Sequence, residues 1–417
     1  MRIAFLTLGC KLNYAETSTY ERGFVAAGMD VVNWREKADI YLINTCTVTE
    51  TANKKSRNEI RKVHRINPAA RIIVTGCYAQ MKPDEVRAIE GVSRVFLANE
   101  KALVVPETLA SLSLLPSSPA LTQDSKPVFG AYSSGERTRA FLKVQDGCDN
   151  FCKYCTVPYA RGRSRSLPIC EVAKSAREIA GKGIIEVVLT GVNTGDYGRG
   201  TGESFLDLIK ALNEVEGIER WRISSIEPNL LSDEIIDWIA SGTKFQPHFH
   251  IPLQQGTDEI LSRMGRRYTT AFFAEKIALI RSKMEGPGKP KVFFGIDVMA
   301  GLPGETEELF RQEYHFLEEL RPAFIHVFPY SRRPGTPAAT MPDQVPEGVK
   351  AERVAKLEEL CGRLHAEFVE SNRGIRENVI FESKEKDGMM SGYTGNYIRI
   401  TRPYDASLVG VLTEVTI

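Results

Sequence analysis

The sequence predicts an α/β chain in three parts: a small parallel α/β domain, an open, partial parallel (β/α)6 barrel, and a small C-terminal β-barrel. Three observations predict it. Strand-like runs alternate with helix-like stretches through roughly the first hundred residues. The alternation resumes after a stretch rich in Ser and Pro, and the tail is rich in β-branched residues and turn signals.

RIAFLTL, DIYLINT, RIIVTG and SRVFLA read as strands separated by stretches such as YAETSTYERGFVAAG, so residues 1–104 form the first domain. Residues 105–137, which include LLPSSPALTQDSKP, read as a linker. From Thr138 onward FLKVQ, IIEVVLTG, RWRISS, HFHIP, VFFGIDVMAG and AFIHVFP read as six strands, with helix-like segments between most of them. A charged helix from about Pro346 to Ser371 completes the second domain, 138–371. In residues 372–417, VIFES, YIRITRP and LVGVLTEVTI suggest the small barrel.

Hydrophobic residues make up 42% and charged residues 26% of the 417, the profile of a soluble globular protein rather than a disordered or fibrous one. Lys plus Arg (54) balance Asp plus Glu (53), so any nucleic-acid binding needs a local basic stripe rather than a basic whole. No apolar run approaches a membrane span, and MRIAFLTLGC lacks the layout of a secretion signal. The expected compartment is the cytoplasm, with no membrane partner. There the eight cysteines are candidates for metal binding rather than disulfides.

GCDNFCKYC places Cys148, Cys152 and Cys155 in a Cys-x3-Cys-x2-Cys spacing directly after the predicted strand FLKVQ. Three thiolates on one loop can hold three irons of a cubane cluster and leave the fourth iron open. An amino acid-like ligand could chelate that iron through its amine and carboxylate. The competing reading is zinc, which in structural sites takes four protein ligands and here would need a distant fourth. A second trio emerges from the strand reading, since Cys10 ends RIAFLTLGC, Cys46 ends DIYLINTC and Cys77 ends RIIVTGC. In a parallel sheet these carboxyl ends share one edge, so the three cysteines are expected to converge. The alternative is three buried thiols acting as small hydrophobes. Cys170 and Cys361, in or beside predicted helices, read as free thiols.

With both trios in place, the chain resembles the methylthiotransferase family of radical-SAM enzymes over essentially its whole length. The matching blocks are TLGCKLN, INTCTVTETANKKSR, VTGCYAQ, GCDNFCKYCTVPYARGRSRS, LTGVNTGDYG, SSIEP, HIPLQQGTDEILSRMGRRYT, GLPGET and FPYSRRPGTPA. TLGCKLN and NTCTVTETANKKSR are most similar to the branch acting on threonylcarbamoyladenosine beside the anticodon. The isopentenyladenosine branch and the branch modifying a ribosomal-protein aspartate are less similar and stand as alternatives, as does a non-catalytic zinc- and RNA-binding protein.

The resemblance implies an N-terminal domain with an auxiliary cluster, a radical-SAM barrel and a C-terminal RNA-binding TRAM barrel. It implies two [4Fe-4S] clusters, one on Cys148, Cys152 and Cys155 and one on Cys10, Cys46 and Cys77. The first reduces S-adenosylmethionine to release a 5′-deoxyadenosyl radical that attacks adenine C2, and the second carries the sulfur. A second S-adenosylmethionine methylates that sulfur. Thr190, Gly191, Asn193, Ser224, Glu227, Gln254 and the run Gly301, Leu302, Pro303, Gly304, Glu305 are implied to bind S-adenosylmethionine. Partners implied are the tRNA anticodon stem-loop, an electron donor such as flavodoxin, and a sulfur donor. For RNA, Arg161, Arg163 and Arg165 in ARGRSRS, with Arg266 and Arg267, are expected to neutralise phosphates. Tyr393, Tyr397 and Arg399 are expected to stack on or grip single-stranded RNA.

Overall fold

A computed structural model describes residues 1–112, 129–134 and 138–417. The first part contains β1 (Arg2–Thr7), α1 (Lys11–Ala26), β2 (Asp30–Val32), β3 (Ile40–Thr45), α2 (Glu50–Ile66), β4 (Arg71–Gly76), α3 (Cys77–Met81), α4 (Pro83–Arg87), β5 (Val92–Val95) and α5 (Val104–Ser111). Its five strands form a parallel sheet in the order β2-β1-β3-β4-β5. Central β3 is buried along its whole length, which is why IYLIN runs apolar instead of alternating. Tyr41, Ile43 and Val74 pack with Ile60 and Val63 of α2 on one face; Leu42 and Ile73 pack with Tyr20 and Phe24 of α1 and Leu109 of α5 on the other. Helix α5 corrects the expected boundary at 104, because Val104, Thr108 and Leu109 bury against this sheet. The rest of the expected linker lies mostly outside the described residues.

The second part runs through β6 (Arg139–Lys143), β7 (Gln145–Asp146), α6 (Val157–Arg161), β8 (Arg165–Ser166), α7 (Ile169–Ala180), β9 (Glu186–Thr190), α8 (Phe205–Asn213), β10 (Arg220–Ile223), α9 (Asp233–Ala240), β11 (His248–His250), α10 (Asp258–Arg263), α11 (Thr270–Met284), β12 (Phe293–Ala300), α12 (Glu307–Leu320), β13 (Phe324–Pro329) and α13 (Glu347–Glu370). Two parallel three-stranded sheets, β6-β9-β10 and β11-β12-β13, are joined by parallel bridges Trp221 to Phe245 and Ser225 to His250. The result is six parallel strands in one arc. Alternate residues such as Val187, Trp221, Phe249, Ile296 and Ile325 form the main core. The opposite, concave side carries Glu186, Arg222, His250, Asp297 and His326. Helix α1 reaches across to this concave side, where Ala15 and Tyr14 pack with Phe141 and Val188.

The last part holds β14 (Arg376–Lys386), β15 (Met389–Thr394), β16 (Arg399–Pro403) and β17 (Leu412–Thr416), an antiparallel sheet in the order β16-β15-β14-β17. The expected small β-barrel is present as an open half-barrel, with β16 and β17 as its two edges. It docks at the amino ends of the barrel strands: Arg222 donates to the carbonyls of Gly395 (2.7 Å) and Thr394 (2.8 Å), and Arg220 donates to the carbonyl of Tyr393 (3.1 Å).

Candidate active site

Ribbon β7–β8 pairs Gln145 with Ser166 and Asp146 with Arg165, closing off the loop that carries Cys148, Cys152 and Cys155. Gly147 sits at φ +75°, and a Cβ there would meet the Arg163 carbonyl oxygen at 2.0 Å, so only glycine lets the loop turn. The sulfurs accept hydrogen bonds from the Asn150 amide (3.5 Å, Cys148), the Val157 amide (3.4 Å, Cys155) and the Arg266 guanidinium (3.2 Å, Cys152). Such donors favour thiolates. Burial opposes them, pushing Cys148 up to about 11 and Cys155 up to about 12, an effect that a bound positive metal centre would offset.

The second trio converges at the carboxyl edge of neighbouring strands β1, β3 and β4. Cys10 precedes α1, Cys46 follows β3, and Cys77 opens α3. A Cβ on Gly9, at φ +106°, would fall 3.0 Å from the Cys46 sulfur. Asn13 ties the first two loops by donating to the carbonyls of Leu8 (2.8 Å) and Thr45 (3.0 Å). Thr45 ties in the third, since its hydroxyl donates to the Thr75 carbonyl (2.6 Å) and accepts from the Ala79 amide (3.2 Å). The three sulfurs feel one another electrostatically, and burial pushes Cys46 up to about 11 and raises Cys77.

The ligand atoms of His250, Asp297 and His326 lie within 4.8 Å of one another. A structural zinc takes four protein ligands on one ion, whereas a cubane spreads three thiolates over separate irons.

Arg161, at the end of α6, joins the two sites. It donates to Asn13 Oδ1 (2.5 Å), Asp146 (2.9 Å) and Glu16 (3.3 Å), and it lies within electrostatic reach of Cys77 and Cys10. Glu16 also accepts from Lys101 (2.7 Å) and Lys143 (2.8 Å), and Lys143 reaches Asp146 at 2.7 Å. These cations hold the Glu16 and Asp146 carboxyls well below the usual carboxylate range despite the burial that opposes it. This fully buried network locks the first domain onto the barrel.

The residues expected to bind S-adenosylmethionine line the carboxyl ends of successive barrel strands. Gln145 accepts from the amides of Val192 and Asn193 (2.9 and 3.1 Å) and donates to the Gly147 carbonyl (2.8 Å), coupling the loop after β9 to the cysteine loop. Gly191 is needed there, because a Cβ would meet Gln145 Oε1 at 2.9 Å. Thr190 and Asn193 are buried beside it, and Asn193 accepts from the Glu227 amide (3.3 Å). The buried Ser224 hydroxyl has no partner among the described residues, as suits a group reserved for a ligand. Glu227 accepts from Asn150 (2.8 Å) and pairs with Arg266 (2.9 Å). Gln254, at φ +72°, follows β11.

The run after β12 braces itself. Glu305 accepts from the amides of Gly301 (2.9 Å) and Leu302 (3.2 Å) and pairs with Arg353 (2.8 Å). A Cβ on Gly301 would strike Lys350, and one on Gly304 would strike Arg263, while Leu302 and Pro303 are buried.

Two of the expected RNA contacts, Arg161 and Arg266, are corrected by burial. Arg161 and Arg266 each keep only 4% of the side chain exposed and are committed to carboxylates and cysteine sulfur, so no phosphate reaches them. Tyr397 is half-buried: it packs on His248 and Phe293 and accepts from Arg139 (3.0 Å), with the half-buried Tyr393 stacked on it at 4.7 Å. Both tyrosines serve the docking of the last sheet. Arg163, with 75% of its side chain exposed, Arg165, Arg267 and Arg399 remain accessible. Sequence reasoning missed Lys11, Glu16 and the His250, Asp297, His326 group. Polar residues interrupting HFHIP, GIDVMAG and FIHVFP were the available signal for the last.

A family model described as an uncharacterized protein family, UPF0004, matches residues 2–98, and that of the radical SAM superfamily matches residues 142–317. The threonylcarbamoyladenosine tRNA methylthiotransferase MtaB of Bacillus subtilis (strain 168) is 39% identical, over 100% of this chain and 93% of its own length. Its namesake from Aquifex aeolicus (strain VF5) is 37% identical over 96% and 97%. A tRNA-2-methylthio-N(6)-dimethylallyladenosine synthase from Wolbachia sp. subsp. Brugia malayi (strain TRS) is 33% identical over 91% and 87%. Among solved structures, the radical S-adenosylmethionine methyltransferase TsrM from Kitasatospora setae shares the fold with a TM-score of 0.58 at 15% identity, covering 81% of this chain and 77% of its own. Whole-length identity and the two matched models together place this chain in the MtaB-type radical-SAM methylthiotransferase family.

Proposed function

We propose that this chain attaches a methylthio group to C2 of N6-threonylcarbamoyladenosine at position 37 of tRNA. The observation that carries the reading is that each cysteine trio lies at the carboxyl edge of a parallel sheet, with Arg161 bridging Asn13 of the first domain and Asp146 beside the cysteine loop of the barrel. Adenine C2–H is not acidic, so acid–base side chains alone cannot exchange it for sulfur. Bound iron–sulfur clusters and S-adenosylmethionine supply the one-electron and methyl-transfer chemistry that side chains lack. Cys148, Cys152 and Cys155 would hold the first [4Fe-4S] cluster, and Cys10, Cys46 and Cys77 a second.

The chain's own residues position and shield. Gln145 fixes the cysteine loop against Val192 and Asn193, so the loop and the methionyl-binding backbone move as one body. Arg266 neutralises the sulfur of Cys152 and fixes Glu227, whose remaining acceptor capacity suits ribose hydroxyls. Ser224 offers a buried hydroxyl to the same ligand. Thr190, Gly191, Gln254 and Gly301 to Glu305 complete the rim. Arg163, Arg165, Arg267 and Arg399 would meet anticodon stem-loop phosphates, with the last sheet as a TRAM-type module. No described helix is long and apolar enough to cross a membrane. A cytoplasmic setting with a flavodoxin-like electron donor and a separate sulfur donor fits this chemistry.

Nucleoside analysis of tRNA from a deletion strain tests the reading. Loss of 2-methylthio-threonylcarbamoyladenosine supports it, and loss of the isopentenyl counterpart instead contradicts it.

A further inference from the structure

Lys11 follows Cys10 and is the first residue of α1, the helix that crosses to the concave side of the barrel. It is solvent-accessible, yet charged groups of the barrel lie within electrostatic reach of it: Arg139, Arg222 and Asp297. His248 and His326 feel its charge in turn. Lys11 lies one helical turn before Tyr14 and Ala15, on the face of α1 that packs with Phe141 and Val188 of the concave side, so it stands at the lumen. The other charges there are already matched. Arg222 pairs with Glu186 (2.8 Å), Arg139 pairs with Glu382 (3.1 Å), and Asp297 lies 2.9 Å from the His250 ring. Lys11, unlike Arg139, Arg222 and Asp297, has no hydrogen bond or ion pair among the described residues. A solvent-accessible ammonium with no partner, facing a lumen whose other charges are matched, has as its natural complement an anion brought in from outside.

We propose that Lys11 binds the carboxylate of the amino acid appended to the adenine N6, and so sets the preference for an acidic N6 substituent. The inference rests on the substrate reading above. An adenine that presents C2 beside the second trio must bring its N6 substituent into the lumen, and a carboxylate there needs a cation. Lys11 adjoins Cys10, so the pairing anchors the substrate next to the sulfur-bearing site. Asp297, His250 and His326, whose ligand atoms lie within 4.8 Å of one another, are placed to hydrogen-bond the hydroxyl and carbamoyl groups of the same substituent.

The test uses the reconstituted full-length enzyme and two synthetic anticodon stem-loops, one carrying threonylcarbamoyladenosine and the other its methyl ester. Wild type is expected to favour the acid about 10- to 100-fold in kcat/KM, mostly through KM, the range for a charge-assisted contact out of bulk water. Lys11→Met is expected to bring that ratio near one, and Lys11→Arg to restore most of it. A ratio unchanged in Lys11→Met means that the lysine serves a phosphate or the cofactor carboxylate, and overturns the assignment. Equal use of acid and ester by wild type overturns it without any variant. Turnover of an isopentenyladenosine stem-loop in place of both overturns the substrate reading itself, and the Lys11 assignment with it.

Discussion

The two cysteine trios are built in opposite ways. Cys148, Cys152 and Cys155 share one short loop, pinned by Gly147 and by the ribbon of β7 and β8, so their geometry is local. Cys10, Cys46 and Cys77 come from three strand ends and meet only because β1, β3 and β4 are neighbours in a parallel sheet. Local geometry survives in a short sequence; topological geometry needs the whole domain folded. The first site should therefore tolerate disturbance of the N-terminal sheet, and the second should not.

The largest break in that comparison comes from Cys152→Ala. It is expected to reduce 5′-deoxyadenosine formation to background, read by chromatography after anaerobic reaction. Cys46→Ala separates the sites: cleavage of S-adenosylmethionine persists within a few-fold of wild type, while methylthio product in stem-loop RNA disappears.

Glu16→Gln addresses the joint between the sites. It strips the shared carboxylate from Lys101, Lys143 and Arg161, all buried, and is expected to cost about 3–5 kcal/mol in urea unfolding. A milder effect follows from burial of the thiols. Because the Cys46 pKa is pushed up to about 11, its thiolate fraction in cluster-free protein rises about tenfold per pH unit from pH 7 to 10. Its iodoacetamide alkylation rate, read by mass spectrometry, should climb with that slope. The smallest effect belongs to Arg163→Ala, whose exposed guanidinium should contribute only a few-fold to stem-loop affinity and lower the salt slope by about one.

Much of this was legible in the sequence because it depends on spacing or period. The six barrel strands announce themselves as apolar runs, and the Cys-x3-Cys-x2-Cys spacing needs no fold to be recognised. Convergence of the second trio followed from parallel topology. What escaped is long-range pairing. ARGRSRS reads as a solvated basic run, yet Arg161 is buried because Glu16 and Asn13, far away in sequence, complete it. Tyr393 and Tyr397 read as RNA platforms, and only the folded chain shows that Arg139, Arg220 and Arg222 also seat their turn at the base of the barrel. Lys11 lies within TLGCKLN, but that run does not say what the side chain faces; its surroundings come from β10, β12 and β13 across the lumen.

Iron counting on anaerobically reconstituted protein tests the central claim most directly. The account predicts about eight irons per chain in wild type, and about four both when Cys148, Cys152 and Cys155 are replaced together and when Cys10, Cys46 and Cys77 are. About four irons in wild type, or a second replacement that loses none, would contradict it.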